Sequence, residues 1–171
     1  MYLVTVVDEK YGISKDNQLL DRLPLDMERF RKITSTSKDG KQNIVIMDRK
    51  TFEALKKPLD GRINIILTRD KKYKADGCVV SNSLLELRYL IANKYYNHNV
   101  FVIGGAEVYS SLLPYCTTFF VTCIKKDYKA DLKIPKLKGV LKNCDIEEKK
   151  LYKDGLGCDI QCEYVEYRLK C

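Results

Sequence analysis

Val100-Phe-Val-Ile-Gly-Gly-Ala-Glu-Val-Tyr109 is the stretch on which the reading of this chain turns. Its apolar run, Val100 to Ile103, has the composition of a buried strand. The run stops at Gly104-Gly105, and a helical pattern follows, with Val108 and Leu112 four apart. Glycines at such a junction let the main chain approach a ligand that a Cβ would exclude. The helix start beyond them offers free N–H groups and the positive end of a dipole, which suits phosphate. The same junction also serves as a plain tight turn, so its meaning depends on the rest of the chain.

Further apolar runs predict strands at about 2–7, 42–47, 63–68, 117–124 and 158–168, beside the one at 99–103, with another near 144–151. Asn43-Ile-Val-Ile-Met47 and Ile63-Asn-Ile-Ile-Leu67 are almost continuously apolar, as in strands covered on both faces. One helical pattern follows Pro24. Another opens on the capping box Ser83-Leu-Leu-Glu86 and runs through Leu87 and Ile91. Alternation of strands and helices predicts an α/β fold, a mostly parallel central sheet with flanking helices. Asp154-Gly-Leu-Gly157 separates two β-like runs and predicts a C-terminal antiparallel hairpin. Residues 1–171 read as one domain. In such sheets ligands sit beyond the carboxyl ends of the strands, where the strand order reverses.

At 171 residues the chain is long enough to bury a real core. With 45 % apolar and 32 % charged residues it reads as a globular protein, without an apolar run for a membrane helix or leader, so a cytoplasmic location is expected. Seven cysteines are an odd number and are expected to be reduced thiols. Cys158 and Cys162 lack the second pair a zinc site needs, and His98 is the only histidine, so no metal is expected. A net charge of +8 suits an anionic partner. The lysines are scattered and carry no nucleic-acid signature, so a small polyanion ranks above RNA or DNA.

Leu23-Pro24-Leu25-Asp26-Met27-Glu28-Arg29-Phe30 puts a proline at a helix start and Asp26 in its first turn. Two readings stand side by side. An acid there complements the helix dipole whatever the function. But Asp26 and Phe30 are four apart and share a face, and a carboxylate beside an aromatic could anchor an amidine-like heterocycle through two parallel hydrogen bonds.

From end to end the chain resembles dihydrofolate reductase. The resemblance rests on Leu23-Pro-Leu-Asp26 with Phe30, Gly40-Lys-Gln-Asn-Ile-Val-Ile-Met47, Arg49-Lys-Thr-Phe52 and Pro58-Leu-Asp-Gly-Arg-Ile-Asn-Ile-Ile-Leu-Thr-Arg69, then Ile103-Gly-Gly105, Val121-Thr122 and Asp131 to Pro135, in the family's order. It implies an enzyme that reduces dihydrofolate with NADPH, a small-molecule reaction run by a monomer. Asp26 then matches the carboxylate that holds the pterin and promotes protonation at N5, and Thr122 the threonine bonded to both. Val4, Phe30 and Ile103 match the walls of the pterin slot, and Val6 the main chain that meets the nicotinamide carboxamide. Arg62 matches the clamp on the folate α-carboxylate, a task suited to guanidinium. Gly104-Gly105, a cis pair in the family, would let the cofactor pass. Thr51 and the amides around Ala106, Glu107 and Val108 would hold its pyrophosphate. Arg49, Lys50, Thr68 and Arg69 would meet its phosphates, with NADPH expected over NADH. His98 is expected to be an exposed loop residue rather than a base.

The chain departs from the family on the loop that covers the site. Ser14 stands where a glycine is expected, and Leu19-Leu20-Asp21 replaces Leu-Pro-Trp, with no tryptophan anywhere. An acid at position 21 removes apolar cover and is expected to prefer solvent. Asp48 replaces a glycine near the pyrophosphate path, with Arg49 and Lys50 expected to offset its charge, and Glu107 adds another acid there. Three readings remain open: a working reductase, a reductase-like protein retained for binding, and a riboflavin-pathway type of reductase that would lack Asp26 and Arg62.

Overall fold

The computed structural model describes residues 1–16, 18–35, 37, 40–157 and 159–170. β1 (Tyr2–Val7) leads through the short strands β2 (Gly12–Lys15) and β3 (Gln18–Leu19) into α1 (Pro24–Ser35), β4 (Asn43–Asp48), α2 (Arg49–Leu55), β5 (Arg62–Leu67) and β6 (Cys78–Ser81). There follow α3 (Leu84–Asn93), β7 (Val100–Gly104), α4 (Ala106–Leu112), β8 (Thr118–Ile124), β9 (Leu132–Lys133), α5 (Leu137–Leu141), β10 (Cys144–Asp154) and β11 (Ile160–Leu169).

Eight strands form one sheet in the order β10-β11-β8-β1-β7-β4-β5-β6. Pairings from β8 through β6 are parallel, and β11 turns antiparallel against both β8 and β10. This is the predicted mostly parallel sheet with its C-terminal hairpin. A second sheet, β3-β2-β9, folds the early loop against residues 132–133.

Alternation along the strands sends side chains to two cores. Leu3, Ile44, Ile46, Val102 and Phe119 pack with Leu87 of α3, Val108 and Leu112 of α4, and Leu137 of α5. Val45, Met47, Ile66 and Phe101 face the other way, against Ile33 of α1 and Phe52 of α2. Asn43 to Met47 are all buried, which is why that run carries so few polar residues.

The predicted elements are present with ends shifted by no more than three residues; Cys158, placed at the start of the last strand, lies outside the described residues. β2, β3, β6 and β9, four residues or fewer each, were not foreseen, nor were α2 and α5. The capping box at α3 forms in altered shape. Ser83 Oγ accepts from the Glu86 amide at 3.1 Å, while the Glu86 carboxylate reaches the Asn82 amide at 2.7 Å. Between β4 and β7 the register steps from Ile46↔Val102 to Met47↔Gly104. The extra residue at Ile103 is a bulge that offsets the chain as it enters the glycine pair.

Candidate functional site

β1, β4, β5, β7 and β8 run parallel, so their carboxyl ends share one edge of the sheet. Pro24 opens α1 with no N–H to satisfy, and Asp26 follows in the first turn. Its side chain is 16 % exposed, and its Oδ1 accepts from Thr122 Oγ1 of β8, 96 residues away, at 2.5 Å. Thr122 is itself buried and pairs in register with Val6 of β1. Val4 and Val6 lie two apart on β1, so both face one side of the sheet. Phe30 is one helical turn beyond Asp26, and Ile103 lies near the end of β7, the strand that pairs with β1. All four are half-buried.

Burial and three groups compete over the Asp26 proton. Burial is the largest influence and pushes the carboxyl above its ordinary value. The Thr122 hydrogen bond and Arg29, whose Nη1 is 3.8 Å from Asp26 Oδ1, pull the other way, and Asp154 adds to the upward push. The net direction is upward. Arg29 is drawn aside by stacking over Tyr152 at 4.7 Å and Tyr164 at 4.2 Å, and by donating to Tyr152 Oη at 3.0 Å.

Arg62 sits at the start of β5, at the far end of α1. Its Nη1 donates to Thr34 Oγ1 at 2.8 Å and its Nε to the Asp60 carbonyl at 3.0 Å. These bonds fix the guanidinium while leaving its remaining N–H groups for a ligand.

The other candidates gather around the glycine pair. Gly104–Gly105 is a cis peptide, and Gly104 has φ of 133°. A Cβ on Gly105 would stand 2.6 Å from Asp48 Oδ2 and 3.4 Å from Thr51 Oγ1. Glycine is therefore required at 105 by space and at 104 by conformation. Ala106 is half-buried and Glu107 exposed, but the Val108 side chain belongs to the core, so only its main chain is available to a ligand. Arg49 donates to Glu53 at 2.6 Å and Asp70 at 3.2 Å and stacks on Tyr73. Arg69 is 90 % exposed and lies 3.5 Å from Glu107, Thr68 Oγ1 accepts from the Asp70 amide, and Lys50 is exposed on α2. Surface pairs of this kind hold at most about 1 kcal/mol each, so a phosphate can displace them.

Three expectations need correction. Asp21 does not prefer solvent: it is half-buried and accepts from Tyr128 Oη at 2.6 Å. Arg49 does not offset Asp48, being held by Glu53 and Asp70; the Asp48 carboxylate instead caps α2, accepting from the Thr51 amide at 2.7 Å. His98 is half-buried rather than exposed, with Nδ1 2.7 Å from the Gln42 carbonyl and its ring edge-on to Tyr95. Ser14, the other loop departure, buries its Oγ without a hydrogen-bond partner among the described residues.

Two residues near the cleft escaped the sequence reading. Tyr109 is buried, donates to the Val4 carbonyl at 2.7 Å and lies 3.6 Å from where a Cβ on Gly104 would be. Burial pushes its phenol up, so it remains a donor. Its spacing of four from Gly105 was the available signal. Asp154 is buried, and its oxygens accept from the amides of Leu25 and Asp26. A separate groove of about 650 Å³ lies along α1, lined by Arg29, Tyr152 and Tyr164 among others. None of the predicted site residues lines it. Among the described residues no His, Cys, Asp or Glu cluster could hold a metal, and no helix is long and apolar enough to cross a membrane.

Comparison with known proteins identifies the family. A family model described as dihydrofolate reductase matches residues 1–168. Dihydrofolate reductase of Bacillus subtilis is 35 % identical over 132 residues, covering 77 % of this chain and 73 % of that protein. The bifunctional dihydrofolate reductase-thymidylate synthase of Glycine max is 34 % identical over 145 residues, 78 % of this chain. The chain spans only about a quarter of the length of such bifunctional relatives, 27 % in that case. Dihydrofolate reductase from Enterococcus faecalis, solved with NADP(H) and RAB-propyl, superposes with a TM-score of 0.78 at 25 % identity, covering 98 % of this chain and 94 % of that one. The fold is a dihydrofolate-reductase-like α/β fold. The chain belongs to the dihydrofolate reductase family.

Proposed function

We propose that the chain reduces 7,8-dihydrofolate to tetrahydrofolate with NADPH, as one domain over 1–171 and as a monomer. The observation that carries this reading is the largely buried Asp26 carboxylate held by Thr122; on this reading the half-buried Val4, Val6, Phe30 and Ile103 wall the pterin slot beside it. Two carboxylate oxygens in such a place suit adjacent N–H donors on one edge of a flat heterocycle. The apolar walls suit its faces.

The reaction adds a hydride at pterin C6 and a proton at N5, so the C6–N5 double bond is lost and NADP⁺ leaves. When bound, NADPH supplies the hydride. Asp26, held by burial above its ordinary pKa, orients the pterin and favours the protonated state at N5. Thr122 fixes which Asp26 oxygen faces the substrate. Arg62, preset by Thr34 and Asp60, takes the α-carboxylate of the folate tail.

The cofactor groove fits a phosphorylated dinucleotide in most of its members. Arg49, Lys50 and Arg69 bring positive charge, Thr51 and Thr68 bring hydroxyls, and the main chain of Gly104, Gly105, Ala106, Glu107 and Val108 would meet the pyrophosphate, with Gly105 at the one point where an added Cβ would collide with Asp48. Arg49, Thr68 and Arg69 together favour a 2′-phosphate. Asp48 is the discordant member, and it supports the second reading, a catalytically impaired family member that serves as a binding or interaction protein.

The test is absorbance-monitored NADPH oxidation with dihydrofolate. Asp26→Asn is expected to lower turnover by about 100-fold or more, the scale of a general acid–base contribution, with NADPH affinity unchanged. Folded wild-type protein that binds folate and does not turn over would leave the second reading standing.

A further inference from the structure

The catalytic acid candidate stands on a helix that cannot cap itself. The first turn of any helix leaves main-chain N–H groups without a partner. Here the residue before α1 is Leu23, buried at 3 % exposure, whose side chain has no acceptor. Pro24 has no N–H, so the unmet amides are those of Leu25 and Asp26. Both are met from the C-terminal hairpin. Asp154 Oδ1 accepts from Leu25 at 3.2 Å and Asp154 Oδ2 from Asp26 at 3.0 Å, across 129 and 128 residues. Asp154 Oδ1 also accepts from the Gly155 amide at 2.8 Å, which locks the carboxylate at the end of β10. Asp154 is 7 % exposed, a depth at which a carboxylate is rarely kept without use.

We propose that Asp154 is a positioning residue for Asp26, anchoring the first turn of α1 through two amides and setting a fixed negative charge behind the catalytic carboxylate. The inference rests on the reductase reading for its consequence, though not for its geometry. Other groups facing Asp26 come from several elements. Arg29 is on its own helix and Thr122 on β8; Tyr152 is on β10, Tyr164 and Cys162 are on β11, and Tyr109 is on α4. Burial raises the three phenols and takes the Cys162 thiol up to about 11, so these stay neutral near pH 7. Arg29 and Asp154 are thus the charges that oppose one another over Asp26. Arg29 favours ionised Asp26 and Asp154 disfavours it.

Removing the Asp154 charge therefore makes Asp26 release its proton at lower pH. The experiment compares wild type, Asp154→Asn and Asp154→Glu by the pH profile of turnover, and by carbon-13 titration of the Asp26 carboxyl in carboxyl-labelled protein. Asp154→Asn is expected to move the Asp26 titration and the alkaline limb of turnover to lower pH, with roughly tenfold lower kcat near pH 7. NADPH affinity should not change. Asp154→Glu, which keeps the charge, is expected to restore most of the wild-type midpoint. An Asp26 titration that does not move in folded Asp154→Asn overturns the proposal. Should Asp154→Asn fail to fold, an Asp26 midpoint in Asp154→Glu that moves downward as if the charge were gone overturns it as well. Because the carboxyl titration needs no turnover, an inactive wild type would refute the reductase reading separately.

Discussion

The Tyr128 hydroxyl donates to Asp21 Oδ2 at 2.6 Å, joining the segment before α1 to the loop after β8 across 107 residues. Tyr128 packs with Leu20, Leu23, Ile124 and Cys162, and its own amide donates to the buried Asp8 carboxylate at 3.3 Å. An acid at position 21 is thus tolerated because a phenol meets it in an apolar setting. Hydrogen bonds to charged groups contribute about 1.5–3 kcal/mol. Tyr128→Phe is expected to lose stability in that range by urea denaturation. Asp21→Asn should lose less, since its amide oxygen still accepts. A double mutant whose loss equals the sum of the two singles would show that the pair is not coupled.

Asp48 has two opposed consequences. Its carboxylate caps α2, yet it stands against the glycine pair where phosphates are expected to pass. Asp48→Asn keeps an acceptor for the Thr51 amide and removes the charge. At about 4 Å with water-like screening that charge is worth roughly 1 kcal/mol of repulsion, so NADPH is expected to bind on the order of fivefold tighter. Asp48→Ala should bind tighter too but lose about 0.5–2 kcal/mol of stability with the cap. Fluorescence titration and denaturation read the two effects separately. Equal affinity in all three proteins would mean the phosphates run clear of Asp48.

Gly105→Ala tests the same crowding from the other side. The new Cβ, 2.6 Å from Asp48 Oδ2, must push the carboxylate off the Thr51 amide. Overpacking of this sort costs about 1–3 kcal/mol. In an Asp48→Gly background the cost should largely vanish, because the clashing atom is gone. Persistence of the full loss there would place the strain in the main chain instead.

How far the sequence could be read follows from how local each signal is. β4 and β5 were legible because strands buried on both faces leave almost unbroken apolar runs. α3 was legible because its cap is three residues from its partner. β2, β3 and β9 run two to four residues each and leave no period to detect. The chemistry of Asp26 stayed ambiguous until the resemblance supplied Thr122, a partner 96 residues away. Asp154 read only as the start of a turn, since a cap delivered across 128 residues has no spacing rule. The same holds for Asp21, whose partner Tyr128 could not be paired with it from sequence.

Arg62 gives a prediction about substrate choice. Thr34 and Asp60 preset its guanidinium at the far end of α1. Arg62→Lys keeps the charge but loses the planar fork, so KM for dihydrofolate is expected to rise about 10- to 100-fold, matching roughly 1.5–3 kcal/mol. A reduced pterin lacking the glutamate tail should show no such change. Thr34→Val should raise KM for dihydrofolate by a smaller factor, with kcat kept. Equal losses with the tailed and tailless substrates would mean Arg62 supports the fold rather than the tail.

Asp26 is expected to weaken the fold that it serves. Burial raises its folded-state pKa above the ordinary carboxylate value of 3.8, so the ionised form is disfavoured in the native protein relative to the unfolded chain. Below pH 3.8 both states hold the proton and the residue contributes no difference. As pH rises from there to the raised native value, the unfolded chain loses its proton first, and stability falls. Above that window the full cost is present. Asp26→Asn removes the ionisation while keeping an acceptor for Thr122, so it should be more stable than wild type at pH 7, with the advantage shrinking toward pH 3.8. Denaturant midpoints across that range measure it directly. A wild type that stays the more stable at pH 7 would mean that the Thr122 and Arg29 contacts outweigh burial, and that Asp26 is ionised more readily than its surroundings dictate.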